Sequence, residues 1–397
     1  MKLTSYEDSL KILKATIKHW DRVEKVTLTN ALDRHIAYDI IAKDNHPAKP
    51  TSAMDGYAFK WNENLNELKL LDILPAGSDK TISIKDNECV KTFTGSLMSD
   101  GADTLIPVEN VEISNSIVKI IKPVAKNFAV RQVGESYKKG EILIKKGTKL
   151  NYAEIALLAE LGIFHVSVFI KPKVAILATG SEIVDLGEPL QNDAQIRSSN
   201  HIALAMMMKK LGAQPIVCEI VKDDANTVKT AILNALKSAD VLLTTGGVSM
   251  GDFDFVKVAL KDDFEIVLNG ADIKPGRHIK IARLGEKYIF ALPGFPYSAM
   301  VMTTLYVRVL LNTWLHQDEP YIKAILDEKY EKRSPYLEFT AINLEYKDGK
   351  IYANLNGKKL GSSAIINNLT NNAALLVVPK HTKSIQKGEI VDILMII

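Results

Sequence analysis

Five short segments concentrate the chemistry of this chain. Each joins glycine or proline to hydroxyl or charged side chains. The segment ADVLLTTGGVSMGDFDFV, Ala239 to Val256, ends an apolar run in Thr244, Thr245, Gly246 and Gly247, then adds Ser249, Asp252 and Asp254. It has neither the Gly-Lys-Ser/Thr of a Walker loop nor the spacing of GxGxxG. Its glycines let backbone N–H groups approach an anion, and its hydroxyls donate hydrogen bonds. Asp254, near the start of a following helix, suits a divalent cation or simply stabilises the helix dipole. The segment ILATGSEIVDLGEPL, Ile176 to Leu190, repeats the pattern with Glu182 as its acid. Two such turns in one sheet point to a shared ligand cleft.

The other three segments carry cations, prolines and a lone acid. IKPGRHIKI sets Lys274 and Arg277 on either side of a Pro-Gly turn. Arginine is scarce, eight against forty-two lysines, and a guanidinium offers a bidentate phosphate geometry that lysine lacks. LPGFP, with Pro293 and Pro296, makes a stiff loop before a helix whose N-terminus can face an anion. PTSAMDGYAF surrounds Asp55 with small residues that would let it approach a ligand. Taken singly, each segment is equally served by an ordinary turn with a solvated charge.

The remaining composition narrows the class. At 397 residues the chain is long enough for two to four domains. With 47% hydrophobic and 24% charged residues it has a globular profile. The net charge of +3 and the absence of a long basic block argue against nucleic acid as the main partner. Cys89 and Cys218 lie far apart without CxxC spacing, and no HxxxH or HExxH pair occurs, which argues against thiolate or histidine metal sites. No apolar run approaches the ~20 residues of a membrane span, and MKLTSYEDSLKIL lacks a signal peptide's apolar core. A cytoplasmic protein without a membrane partner is expected.

Periodicity supplies the elements that must position these residues. A helix is expected from Tyr6 to His19, capped by Ser5 with Asp8. From Thr51 to Pro123 short strands alternate with turns, as in a small β domain. YAEIALLAELG reads as a helix stopped by Gly162. From Lys173 onward strands and helices alternate: KVAILAT, SNHIALAMMMKKLG with a Ser/Asn cap, PIVCEIV, ANTVKTAILNALKS, DVLLTTGG, FDFVKVALKDD, KYIFALPG, and a long helix from Pro296. That spacing predicts a doubly wound parallel sheet, whose ligands sit at the carboxyl ends of the strands. After Pro320 strands around a KDGK hairpin turn predict an all-β domain.

The ordered set SAMDGYA, TGSLMSDGADTLIPVE, TGSEI, TGGVSMGD, KPGR and LPGFPYSA resembles the molybdopterin molybdenumtransferases, the MoeA and gephyrin E-domain family. The resemblance covers essentially the whole chain. It implies a discontinuous linker and dimerisation domain (residues 1–45 and 131–170), an inserted β domain (46–130), a molybdopterin-binding α/β domain (171–318) and a C-terminal β-barrel (319–397), in an elongated homodimer. It also implies an enzyme that inserts molybdate into adenylylated molybdopterin, releasing AMP and molybdenum cofactor with the help of Mg²⁺. Further partners implied are molybdopterin adenylyltransferase and the apoproteins or chaperones that receive the cofactor.

By the same resemblance Asp55, Glu182, Asp223 and Asp254 match functional acids, with Glu182 and Asp254 on the metal or pterin side. Asp55 would close the cleft from the partner subunit, near Thr94. Lys274 and Arg277 would hold phosphate or molybdate, with Gly246, Gly247, Ser249, Pro293, Pro296 and Ser362 lining the substrate. Three positions depart from the common pattern. Arg277 stands where many members have Lys, Phe295 where many have Asn, and Ser136 where many have Asp. These departures motivate an alternative, a non-catalytic paralogue that binds cofactor intermediates as a scaffold. A second alternative is the preceding step, adenylylation of molybdopterin.

Overall fold

The computed structural model describes residues 3–222, 224–246, 264–318 and 321–397. The chain divides into two compact units. One comprises Met1–Ala37, Gly147–Ala159 and Ile163–Ile397; the other comprises Tyr38–Lys146 and Glu160–Gly162.

In the larger unit, six strands form one sheet in the order Gln214–Val217, Lys173–Ala178, Val241–Thr245, Lys287–Leu292, Lys280–Leu284, Glu265–Asn269. The first four run parallel and the last two pair antiparallel. The alternation that strand geometry imposes divides the side chains between two cores. Val174, Ile176, Leu243 and Phe290 face one way, and Ala175, Leu177, Leu242 and Ile289 the other. Helix Ala225–Ser238 covers the second face with Val228 and Ile232. Helices Tyr6–Thr16 and Asn200–Lys210 and the 296–315 helix cover the first. This is the expected doubly wound architecture, with an antiparallel edge. The expected helix FDFVKVALKDD lies outside the described residues.

The N-terminal helix begins as its sequence predicts. Ser5 Oγ accepts a hydrogen bond from the Asp8 backbone N–H at 3.1 Å and donates to the Asp8 carboxylate at 2.8 Å. Such a cap is worth about 1 kcal/mol. The helix ends at Thr16, short of the expected His19. Its buried stripe, Tyr6, Ser9 and Leu13, follows helical spacing. Ser9 Oγ lies 2.8 Å from the Tyr306 hydroxyl, and the Tyr6 ring meets Phe339 edge-on at 5.2 Å.

The long helix after Pro296 differs from a uniform α-helix. It runs as Pro296–Met302, widens into a π turn over Thr303–Val307, and resumes as Arg308–Leu315. The Thr303 and Thr304 hydroxyls donate to the carbonyls of Ala299 and Met300, at 2.9 and 3.0 Å, which competes with the regular backbone ladder.

The C-terminal strands close into a barrel. Tyr321–Leu326, Lys350–Asn354, Leu337–Lys347, Ala374–Val378 and Ile390–Met395 follow one another around the ring, and the last pairs with the first. Closure leaves the ring no free edge. Leu326, Ile342, Leu376 and Ile393 fill its interior. The predicted KDGK turn holds Asp348 and Gly349 at φ 49° and 72°, as a two-residue type I′ hairpin requires.

The smaller unit is built on a six-stranded sheet, ordered Thr104–Pro107, Gly56–Phe59, Glu88–Thr92, Glu67–Leu74, Ile117–Ile120, Val111–Ser114. Tyr57, Phe59, Leu68, Cys89 and Ile106 form its core. Cys89 is buried and Cys218 partly buried, and both are free thiols.

One buried histidine gives the larger unit a pH signature. His35 is 5% exposed, and its Nδ1 lies 3.3 Å from the Gly147 carbonyl. Burial is the main force that pushes its pKa down, from 6.5 to about 4. The unfolded chain therefore binds this proton more readily than the folded one. Its stabilising contribution is complete above pH 6.5 and falls as pH drops towards 4, by about 3 kcal/mol at most. Denaturant titrations from pH 7 to 4.5 should show this loss in the wild type and a flatter slope in His35→Gln.

Candidate active site

The cleft of the larger unit lies where the sheet's connectivity requires it. The strand Lys173–Ala178 sends its crossover to one neighbour, Gln214–Val217, and the chain later returns on its other side as Val241–Thr245. Ligands in doubly wound sheets bind at such a switch point, outside the carboxyl ends of the strands. Ala178 with Thr179, Thr245 with Gly246, and Pro293 lie at three of those ends, and all line a cleft of about 740 Å³. The barrel supplies the opposite wall through Tyr336, Glu338, Thr340 and the 359–363 loop.

Gly246 shows why the strand-end turn is glycine. Its φ is +94°, and an added Cβ would lie 2.5 Å from the Thr179 carbonyl oxygen. The two strand ends are thus pressed backbone to backbone, with the Thr179 amide donating to the Thr245 carbonyl at 3.0 Å. Glu182 is exposed and lines the cleft. Its carboxylate lies over Gly180, where a Cβ would come within 2.8 Å of Oε1.

The Lys-Pro-Gly-Arg turn is held by the barrel. Ile273–Lys274 pairs in parallel with Leu337 and Glu338 of the barrel's longest strand. Lys274 Nζ lies 3.3 Å from Glu338 Oε1, with side chains 34% and 7% exposed. Ser334 donates to the other Glu338 oxygen at 3.1 Å. Gly276, at φ +81°, lets the turn pass Met302, whose sulfur would be 2.3 Å from an added Cβ. Arg277 is exposed beyond this turn. Its Nη1 donates to the Tyr336 hydroxyl at 3.0 Å and its Nε to His278 at 3.0 Å.

The helix after Pro296 is also tied to the barrel. The Tyr297 hydroxyl donates to the Phe339 carbonyl at 3.2 Å and accepts from the Ala341 amide at 3.0 Å. Burial pushes this phenol well above its ordinary pKa. Pro296 occupies the expected first-turn position. Phe295 is 58% exposed at the cleft rim. Ser362, from the barrel loop, lines the cleft and accepts from the Ala364 amide at 3.2 Å.

The structure therefore gathers Glu182, Gly246, Lys274, Arg277, Pro293, Pro296 and Ser362 around one cleft. Asp55 and Thr94 meet each other in the smaller unit. The Thr94 amide and hydroxyl both donate to Asp55 Oδ1 at 2.8 Å, and these bonds, the backbone one foremost, hold the carboxyl below its usual range. Ser136 is also engaged there, accepting from Arg131 Nη2 at 2.7 Å. Asp223, Gly247, Ser249 and Asp254 lie outside the described residues. Among the described residues no group of three or more His, Cys, Asp or Glu forms a metal cluster.

Glu338, Tyr336 and Tyr297 carry no ligand-binding pattern in the sequence: Glu338 lies on a barrel strand, Tyr336 just before it, and Tyr297 in the helix after Pro296. Sequence reasoning also read SSNH only as a helix cap. Ser199 is the cap residue but makes no capping hydrogen bond, and the Asn200 amide donates to the Gly294 carbonyl at 2.7 Å. A polar run between a strand pair and a helix was the available signal.

A doubly wound sheet with a cleft at its switch point, walled by a β-barrel and lined by carboxylate and cationic side chains, has the architecture of a ligand-binding α/β domain. Family models match along nearly the whole chain. The MoeA N-terminal region (domain I and II) matches residues 4–162, a probable molybdopterin binding domain 175–313, and the MoeA C-terminal region (domain IV) 323–396. The structure of the molybdopterin biosynthesis MoeA protein of Pyrococcus horikoshii OT3 superposes with a TM-score of 0.84 at 30% identity, covering 99% of this chain and 100% of that one. Relatives named molybdopterin molybdenumtransferase include one from Bacillus subtilis (strain 168), 29% identical over 94% of this chain and 90% of its own length. Another, from Staphylococcus aureus (strain COL), is 29% identical over 93% and 90%. The chain belongs to the MoeA family.

The Lys274–Glu338 pair separates structure from binding. Lys274→Met leaves the Glu338 carboxylate buried without its cation and should cost about 2 kcal/mol, less than a fully buried pair because Lys274 is one-third exposed. Adding Glu338→Gln should restore most of the midpoint measured by urea denaturation, because no buried charge is then left unpaired.

Proposed function

We propose that this chain is a molybdopterin molybdenumtransferase that inserts molybdate into adenylylated molybdopterin and releases AMP. The observation that carries this reading is one cleft holding Glu182, Lys274, Arg277 and Ser362 around the Gly246 strand end. A phosphoanhydride bears charge that cations must neutralise, and molybdate is itself an oxyanion. Lys274 offers a point charge fixed by Glu338, and Arg277 a planar fork turned outward by Tyr336. Gly246 lets the two strand ends meet backbone to backbone at the cleft lining. The relatives' shared name and the match to a probable molybdopterin binding domain support the same substrate class.

In this reading Mg²⁺ binds in the cleft. It commonly binds through one or two carboxylates together with substrate phosphates and waters, so a three-carboxylate cage is not needed. Glu182 would hold it, its carboxylate lying over the side-chain-free Gly180, with Asp254 as the second ligand. The ion would neutralise phosphoryl charge. In this reading Asp55, fixed by two bonds from Thr94, acts on the cleft of the partner subunit in a homodimer. Phe295 contributes an aromatic face in place of an amide.

AMP release from adenylylated molybdopterin, with and without molybdate and Mg²⁺, tests the reading. Formation of molybdenum cofactor should require both, and Glu182→Ala and Lys274→Ala should each lower turnover at least a hundredfold. Binding without AMP release would replace the transferase with a scaffold. Adenylylation of molybdopterin by ATP without molybdate would instead identify the preceding step.

A further inference from the structure

One side-chain constellation beside the cleft has no part in the transferase reading. Ser198 precedes helix Asn200–Lys210, lines the cleft and is otherwise buried, at 4% exposure. Its Oγ is hydrogen-bonded to His201 Nδ1. The other ring nitrogen, Nε2, lies 3.4 Å from Asp185 Oδ1; the histidine side chain is 5% exposed and the aspartate 60%.

The carboxylate determines how the ring behaves. A negatively charged acceptor at Nε2 draws the imidazole N–H to that side, leaving Nδ1 with a lone pair. In that tautomer Ser198 donates its proton to Nδ1, and its own lone pairs are free to meet a ligand. A hydroxyl with a base behind it, and the base held by a third group, is the arrangement that activates a nucleophile.

Two neighbouring observations point to a ligand at the same spot. Asn200 Oδ1 is buried, in a residue that lines the cleft, and has no hydrogen-bond partner among the described residues. Ser199, the residue before the helix, makes no side-chain cap, so the first-turn N–H groups are not capped by it. Such N–H groups can stabilise developing negative charge.

We propose that Ser198, His201 and Asp185 form a nucleophile, base and orienting set that attacks an electrophilic phosphoryl centre bound in the cleft. The proposal rests on the reading that the cleft takes a phosphoanhydride. Ser198 Oγ bonds to phosphorus as its proton moves to His201 Nδ1. The anhydride P–O bond breaks, its electron pair leaves with the departing phosphate, and that phosphate takes the proton from His201. Water then attacks the phosphoserine ester, giving a proton to His201 as the P–O bond to Ser198 breaks. Ser198 recovers the proton, and the sum is one anhydride plus water giving two phosphates.

A fluorophosphonate probe tests the nucleophile without cofactor. The full-length protein should gain one phosphonyl group, located at Ser198 by peptide mass spectrometry, with loss of fluoride. Ser198→Ala should abolish the adduct, and His201→Gln should slow labelling at least tenfold. Should His201→Gln not fold, the exposed Asp185→Asn should slow labelling severalfold. A folded wild type that gains no adduct at Ser198, or equal labelling rates in the base variants, would overturn the proposal. Labelling without molybdate-dependent AMP release would retain this set and remove the transferase reading. AMP release without labelling would do the reverse.

Discussion

The cleft depends on a two-residue strand that follows the edge strand of the α/β sheet in the chain and pairs with the barrel. Ile273–Lys274 leaves the α/β sheet region and pairs with Leu337 and Glu338 of the barrel. That pairing brings Lys274 to the buried Glu338 carboxylate and sets the following Gly276–Arg277 turn in the cleft lining. Without a barrel strand to accept it, the turn would be a surface hairpin with two solvated cations. The Tyr297 hydroxyl, bonded on both sides to the same barrel strand, fixes the helix that follows the Pro293–Pro296 loop. Both attachments use backbone groups of one strand, so cleft shape and barrel closure are one mechanical problem.

Close approaches around the cleft explain two of its small residues. Gly276 lies against Met302 and Gly246 against Thr179, each with positive φ and no room for a Cβ. Their conformational freedom lowers stability in an unfolded chain's favour, but only glycine lets the strand ends and the cationic turn approach this closely. The result is a pocket whose floor is backbone and whose charged groups stand at its edges.

Much of this was legible in the sequence. The alternation of buried strands and amphipathic helices from Lys173 onward announced the parallel sheet, and Thr-Gly turns marked its carboxyl ends. The Ser5 cap, Pro296 at its first turn and the KDGK hairpin followed from local chemistry alone. The π turn at Thr303–Val307 was not legible, because threonine back-bonding to Ala299 and Met300 is decided by packing. Glu338 and Tyr336 were hidden for another reason: one sits on a barrel strand with an ordinary strand pattern and the other just before it, and only tertiary pairing brings them to Lys274 and Arg277. The Ser198–His201 contact is local in sequence, but Asp185 reaches it from a separate loop.

The central claim is that the oxyanion site lies in this cleft, between the Lys274–Arg277 turn and the barrel loop at Ser362. Crystals grown with AMP and molybdate, measured at the molybdenum absorption edge, address it directly. An anomalous peak should appear inside the cleft, next to Lys274 or Arg277, and disappear in Lys274→Met/Arg277→Met crystals. A bound molybdate elsewhere, with the cleft empty at saturating ligand, would contradict it.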